Sequence, residues 1–201
     1  MWLYLLQGIG YGFAAAAQPG PLQTFIIMQS LTKGWQRALP TAFAPLVSDG
    51  PIIALCLLVL RQVPDSFKQI LYLLGGAFVL YLAHGAYRSW KNFDTNLSSP
   101  QSGVQQSVLK AALVNMLGPG AYIFWSLVTG PILIEGWRET PIFGITFMLG
   151  FYLTFVLGLM LIIFVFGTMQ ALGQKIRRVM VGISALALFG FGLYQLWLGF
   201  H

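Results

Sequence analysis

Charge is missing from long tracts of this chain. Residues 1–32, 69–87, 111–134, 140–174 and 179–201 contain no Asp, Glu, Lys or Arg, and residues 38–60 contain one, Asp49. A helix needs about 20 mostly apolar residues to cross roughly 30 Å of hydrocarbon, and all six tracts are of that order. They are apolar all round, without the polar face that recurs at a 3.6-residue period on soluble surface helices. Lipid is the solvent they fit. The whole chain agrees: 57% of residues are hydrophobic and 8% charged, against about 45–50% and roughly 25% in soluble domains. Disorder is excluded because it requires low hydrophobicity.

The reading is an all-α membrane protein with six transmembrane helices, near residues 2–30, 39–60, 69–88, 108–134, 141–168 and 179–200. A membrane β-barrel would alternate apolar and polar residues, and Leu159-Met160-Leu161-Ile162-Ile163-Phe164-Val165-Phe166 does not. The first tract lacks a positive n-region and is too long for a signal-peptide core, so it is expected to be retained.

Lys and Arg in short loops set orientation. Loops on the face opposite the N-terminus carry Lys33, Arg37, Arg88, Lys91, Lys110, Lys175, Arg177 and Arg178, while the N-terminal face carries Arg61, Lys68 and Arg138. The expectation is a multi-pass protein of the inner (plasma) membrane with both termini outside. The basic surplus is therefore topological. A nucleic-acid partner would need a basic stripe with interleaved readers, and none is present. Trp2, Trp35, Trp90, Trp137 and Trp197 fall at tract ends, where aromatic belts lie; Trp125 does not.

The chain also resembles itself. Gln18-Pro19-Gly20-Pro21 is echoed by Gly118-Pro119-Gly120-Ala121, and Gly34-Trp35-Gln36-Arg37 by Gly136-Trp137-Arg138-Glu139. Gly75, Gly85 and Tyr87 are echoed by Gly182, Gly192 and Tyr194. Residues 1–91 and 108–201 thus read as two three-helix repeats, with 92–107 as the linker. Three helices per half place the second half upside down. Such inverted repeats recur in secondary transporters, whose sites lie near the midplane at discontinuous helices. Pro19-Gly20-Pro21 in helix 1 and Gly118-Pro119-Gly120 in helix 4 are the matching interruptions. Proline removes a donor and clashes with the preceding turn. The freed backbone groups must be covered by protein or line a cavity. The alternative is a pair of packing kinks.

Asp49 is the one acid inside an apolar tract. It lies in Pro45-Leu46-Val47-Ser48-Asp49-Gly50-Pro51, read as a second broken stretch. A charge at mid-bilayer costs at least about 2.5–3.5 kcal/mol, which makes such a residue a functional candidate. It could carry a proton or pair with a substrate ammonium; the alternative is a hydrogen-bonded packing residue. Gln18 and Asn115 flank the breaks and could bond substrate or freed backbone. Trp125 lies beyond Pro119 and could wall a pocket or fill the core. His84 is expected near the interface. Gly8 and Gly12 form a small-xxx-small pair, expected to pack against another helix. Two His and one Cys are too few for a His/Cys metal site, no phosphate-binding loop appears, and no nucleophile–base pair is evident. No cofactor and no enzymatic activity are expected.

Several of these residues together resemble the LysE/RhtB family of amino-acid exporters. They are Pro19-Gly20-Pro21, Gly34-Trp35 with Arg37, and Ser48-Asp49-Gly50. Further along come Leu74-Gly75-Gly76-Ala77-Phe78-Val79-Leu80-Tyr81-Leu82, then Asn115-Met116-Leu117-Gly118-Pro119 with Phe124-Trp125. The resemblance spans nearly the whole chain. It implies efflux of amino acids or related small metabolites, driven by protons or membrane potential, and a homodimer. It carries the functional stretch onto Pro19, Gly20, Pro21, Asp49, Asn115 and Pro119. Two positions depart from it. Many members have Asn-Pro-Lys where this chain has Gly118-Pro119-Gly120, and their late helix-3 glycine is Ala83 here. The expected substrate-binding set is Gln18, Pro19, Gly20, Pro21, Asp49, Asn115, Pro119, Gly120 and Trp125, with Asp49 coupling to protons. One half would rock against the other. The competing reading is a divalent metal-ion exporter or channel of the same fold, drawing on Asp49 and His84.

Overall fold

Proline and glycine decide where the helices start and stop. The computed structural model describes residues 1–58, 65–92, 103–169 and 173–200, and their regular structure is entirely helical. Helix α1 (Trp2–Ala17) ends at Gln18, and α2 (Pro21–Lys33) starts after Gly20; both flanking residues are extended. Gly34 has φ 84°, a conformation that favours glycine, and turns the chain into α3 (Trp35–Ala38). A 3₁₀ turn (Leu39–Phe43) leads to α4 (Ala44–Leu58), and α5 is Asp65–Lys91. Helix α6 (Val104–Leu117) stops at the extended Gly118, where α7 (Pro119–Phe124) begins. A π turn (Trp125–Thr129) joins α7 to α8 (Gly130–Glu139). The long α9 (Pro141–Thr168) and α10 (Gln174–Phe200) follow.

Four segments are long and apolar enough to cross a membrane: Trp35–Leu57, Asp65–Lys91, Pro141–Thr168 and Gln174–Phe200. Val104–Leu117 with Pro119–Glu139 makes a fifth if the pair, bent by 58°, is one span. The first tract, expected as one span, consists of two helices of 16 and 13 residues; neither alone has the length. Helices also run past the charge-free tracts: Asp65, Lys68, Arg88, Lys91, Lys175, Arg177 and Arg178 are all helical. Hydrocarbon excludes charge, but helical hydrogen bonding continues into the headgroup layer.

Three other readings are revised. The stretch from Pro45 to Pro51 is not broken; α4 runs through Pro51. Proline costs one backbone bond there, and a packed membrane helix tolerates it. Helix α6 starts at Val104; residues 93–102, most of the expected linker, and Arg61 lie outside the described residues. The two breaks also align differently. Gly20-Pro21 and Gly118-Pro119 each place glycine just before a helix and proline at its first position, the site where a missing N–H costs least. The Gly34 echo fails locally, because Gly136 sits inside α8, which turns only at Thr140.

Lipid supplies no hydrophobic drive between helices, so close packing depends on small residues. The two most extensive helix contacts are α1 with α9 and α5 with α10. In the first, Gly8 and Gly12 lie against the backbone of Phe147 and Phe151, leaving no room for a Cβ. In the second, a Cβ on Gly192 or Gly199 would come within 3.1 or 3.2 Å of the backbone nitrogen of Leu80 or Leu73. Helix α9 shows why these helices look apolar all round. Phe147, Phe151, Phe155, Leu159 and Ile163 are buried, while Ile145, Leu149, Leu153, Leu157 and Leu161 form an exposed stripe four residues apart. One apolar face meets protein and the other is left for lipid. Ring contacts recur as well: Tyr87 with Trp90, and Tyr194 with Trp197, 107 positions on.

Candidate functional site

Asp49 is 2% exposed. It sits on α4 one residue after the fully buried Ser48. Asn115, on the last turn of α6, donates from Nδ2 to Asp49 Oδ1 at 2.6 Å and to Ser48 Oγ at 2.8 Å. Ser48 Oγ in turn donates to the Ala44 carbonyl. The Tyr152 hydroxyl on α9 donates to Asp49 Oδ2 at 3.2 Å. Three helices, α4, α6 and α9, thus converge on one acid. A buried carboxylate survives only with donors on its oxygens, and here both oxygens have them. Asn115→Ala would leave Ser48 and one carboxylate oxygen without their donor. It is expected to cost about 1.5–3 kcal/mol of stability, read from the unfolding midpoint in detergent.

The two helix breaks lie beside this acid. A cavity of about 310 Å³ is lined by Gln18, Pro19, Gly20 and Pro21 from the first break and Gly118, Pro119 and Gly120 from the second. Asp49, Asn115 and Trp125 line it too, so all nine residues singled out in the sequence border one space. They differ in burial: Asp49, Pro119 and Trp125 are buried, Gly20, Pro21 and Asn115 half-buried, and Gln18, Pro19 and Gly120 exposed. The first break is partly repaired, since Gln23 donates from Nε2 to the Ala15 carbonyl at 2.9 Å. Phe124, Phe151, Phe155 and Phe191 add aromatic surface to the wall. Asp49 is the one charged residue among the lining groups. Such a space, apolar with a few convergent polar groups, has the character of a small-molecule site.

Sequence reasoning missed Tyr152 and Gln195. Tyr152 stands mid-helix in α9, away from the interfacial belt where tyrosine is usual, and that position was its signal. Gln195 is the one carboxamide in the last charge-free tract, borders the cavity and is 8% exposed. Its Oε1 has no hydrogen-bond partner among the described residues. His84 is exposed on α5 and does not border the cavity. Among the described residues no three His, Cys, Asp or Glu come together as metal ligands, so the metal-export reading lacks a ligand set there.

No curated protein and no solved structure matches the chain. The family model for the LysE type translocator matches residues 13–199. That span takes in both breaks, Asp49, Asn115, Trp125 and Tyr152, and the chain belongs to the LysE type translocator family.

Proposed function

We propose that this protein is a secondary-active exporter of amino acids or related small metabolites across the inner (plasma) membrane. In this reading the solute occupies the 310 Å³ cavity and Asp49 carries the coupling proton. The observation that carries it is the meeting of two helix breaks and one buried acid in a single cavity. Helix α7 begins there, and its N-terminal N–H groups, with the helix dipole, suit a carboxylate. Asp49 suits an ammonium group. An amino acid offers both charges.

The same reading takes the chain as six spans in two inverted halves, 1–91 and 108–201, with both termini outside. Its support is internal. Each break uses glycine then proline in the same way. The pairing of α1 with α9 has a counterpart in α6 with α4, and α5 with α10 is its own counterpart. A pairing of two copies of the chain belongs to this reading as well.

Proteoliposomes loaded with a panel of amino acids and dipeptides test it. Efflux of at least one solute, faster with an imposed pH gradient than without, is the expected result. Silence across the panel, together with flux of a divalent cation, would transfer the assignment to metal export.

A further inference from the structure

A second, larger cavity of about 770 Å³ shares one lining residue with the first. It is lined by the buried Cys56, the half-buried Ser126 and, at the end of α8, the exposed Glu135, Arg138 and Glu139, which form its mouth. Glu139 accepts a hydrogen bond from the Tyr4 hydroxyl at 2.9 Å. The mouth therefore lies level with the start of α1, on the N-terminal face. Trp125 borders both this cavity and the one holding Asp49, and it is 1% exposed.

Trp125 is held by contacts that a sliding side chain can break and remake. Its ring stacks near Tyr152, 26° from parallel, and meets Phe151 edge-on at 5.3 Å between centroids. Its backbone opens the π turn, the one departure from α geometry between Pro119 and Glu139. Such turns hold one residue more than the α-helix allows and are frequent at functional sites. Gly130 closes the turn, and a Cβ there would run into the Trp125 carbonyl. The partition thus stands on the π turn, beside the acid proposed to carry the proton.

We propose that the larger cavity is the outward vestibule of the same path, and that the Trp125 indole is the partition a solute must displace to pass between the two cavities. The mouth carries both signs of charge, which suits a small zwitterion leaving the protein. The assignment rests on the exporter reading for its direction but not for its test.

Cys56 is the single cysteine of the chain and lies in the vestibule wall, while Ala121 borders the inner cavity. The full-length protein in liposomes is exposed to a membrane-impermeant methanethiosulfonate from the N-terminal face alone. Cys56 itself is 3% exposed, so the vestibule is read at Ile134, which lines it and is 37% exposed: in a Cys56→Ser, Ile134→Cys background the thiol should be modified with every Trp125 side chain. In a Cys56→Ser, Ala121→Cys background, modification should be slow with Trp125 present. Because thiol modification follows access, it should be at least about tenfold faster in Trp125→Ala. Trp125→Leu, which keeps an apolar filling of intermediate volume, should fall between and serves if the alanine form does not assemble. Equal Ala121→Cys rates with and without the indole would overturn the partition. An Ile134→Cys thiol that is reached only from the opposite face would overturn the vestibule. Neither readout needs a transported solute, so absence of efflux across the panel would count against the exporter reading alone.

Discussion

Asp49→Asn is expected to leave a folded protein that no longer couples efflux to a pH gradient. The substitution keeps the shape of the side chain, and Asn115 can still donate to its oxygen. The Tyr152 hydroxyl, which donates to Oδ2 in the wild type, can rotate to accept from the new amide. What disappears is the capacity to bind and release a proton. An intramembrane acid retained at such cost points to this capacity. Gradient-driven efflux in proteoliposomes should fall by at least about tenfold, equivalent to about 1.4 kcal/mol of barrier. The residual flux should respond to the solute gradient alone. An Asn variant with the wild-type response to an imposed pH gradient would remove Asp49 from the coupling step and leave it as a packing acid.

The second large effect concerns assembly. Gly12→Leu is expected to prevent the protein from reaching its packed state. A Cβ at Gly12 would meet the Phe151 carbonyl, and one at Gly8 would meet the backbone of Phe147 and Phe151. Backbone atoms cannot rotate out of the way as a side-chain tip can. Overpacking typically costs 1–3 kcal/mol and occasionally more; with backbone as the obstacle, the cost should be at least about 3 kcal/mol. Gly10 provides the control on the same helix, since nothing lies within 4 Å of a Cβ there. Size-exclusion chromatography and thermal unfolding in detergent should show loss of the monodisperse peak for Gly12→Leu and wild-type behaviour for Gly10→Leu. Equal behaviour of the two variants would mean that the α1–α9 contact does not govern assembly.

What could be read in the sequence was whatever the backbone itself enforces. Proline and glycine at 19–21 and 118–120 break helices for local reasons, and charges cannot sit in hydrocarbon, so the breaks and the apolar, helical character of the tracts were legible. Pro51 shows the limit. The same residue type breaks a helix or is carried through it according to neighbours that lie far away in the chain. The charge map marked the apolar tracts but not the helix ends, because α5 and α10 carry charge in their first turns, at Asp65 and Lys175. Asp49 and Asn115 stood out singly, yet their hydrogen bond joins residues 66 positions apart, and Tyr152 reaches Asp49 across 103. No local pattern encodes such pairings. The π turn at Trp125 was illegible for a different reason, since its geometry is set by what α7 and α8 pack against.

The two glycine seams limit how the molecule can move. Each takes one helix from residues 1–91 and one from 108–201: α1 is locked to α9, and α5 to α10. The two halves of the chain are therefore clasped together along their longest contacts and are poorly suited to swing as separate blocks. Motion that leaves both seams intact must come from the segments outside them: α2, α3 with α4, α6, and the α7, π-turn and α8 series. Opening would then resemble the working of a latch in a fixed frame, with the helix breaks as its pivots.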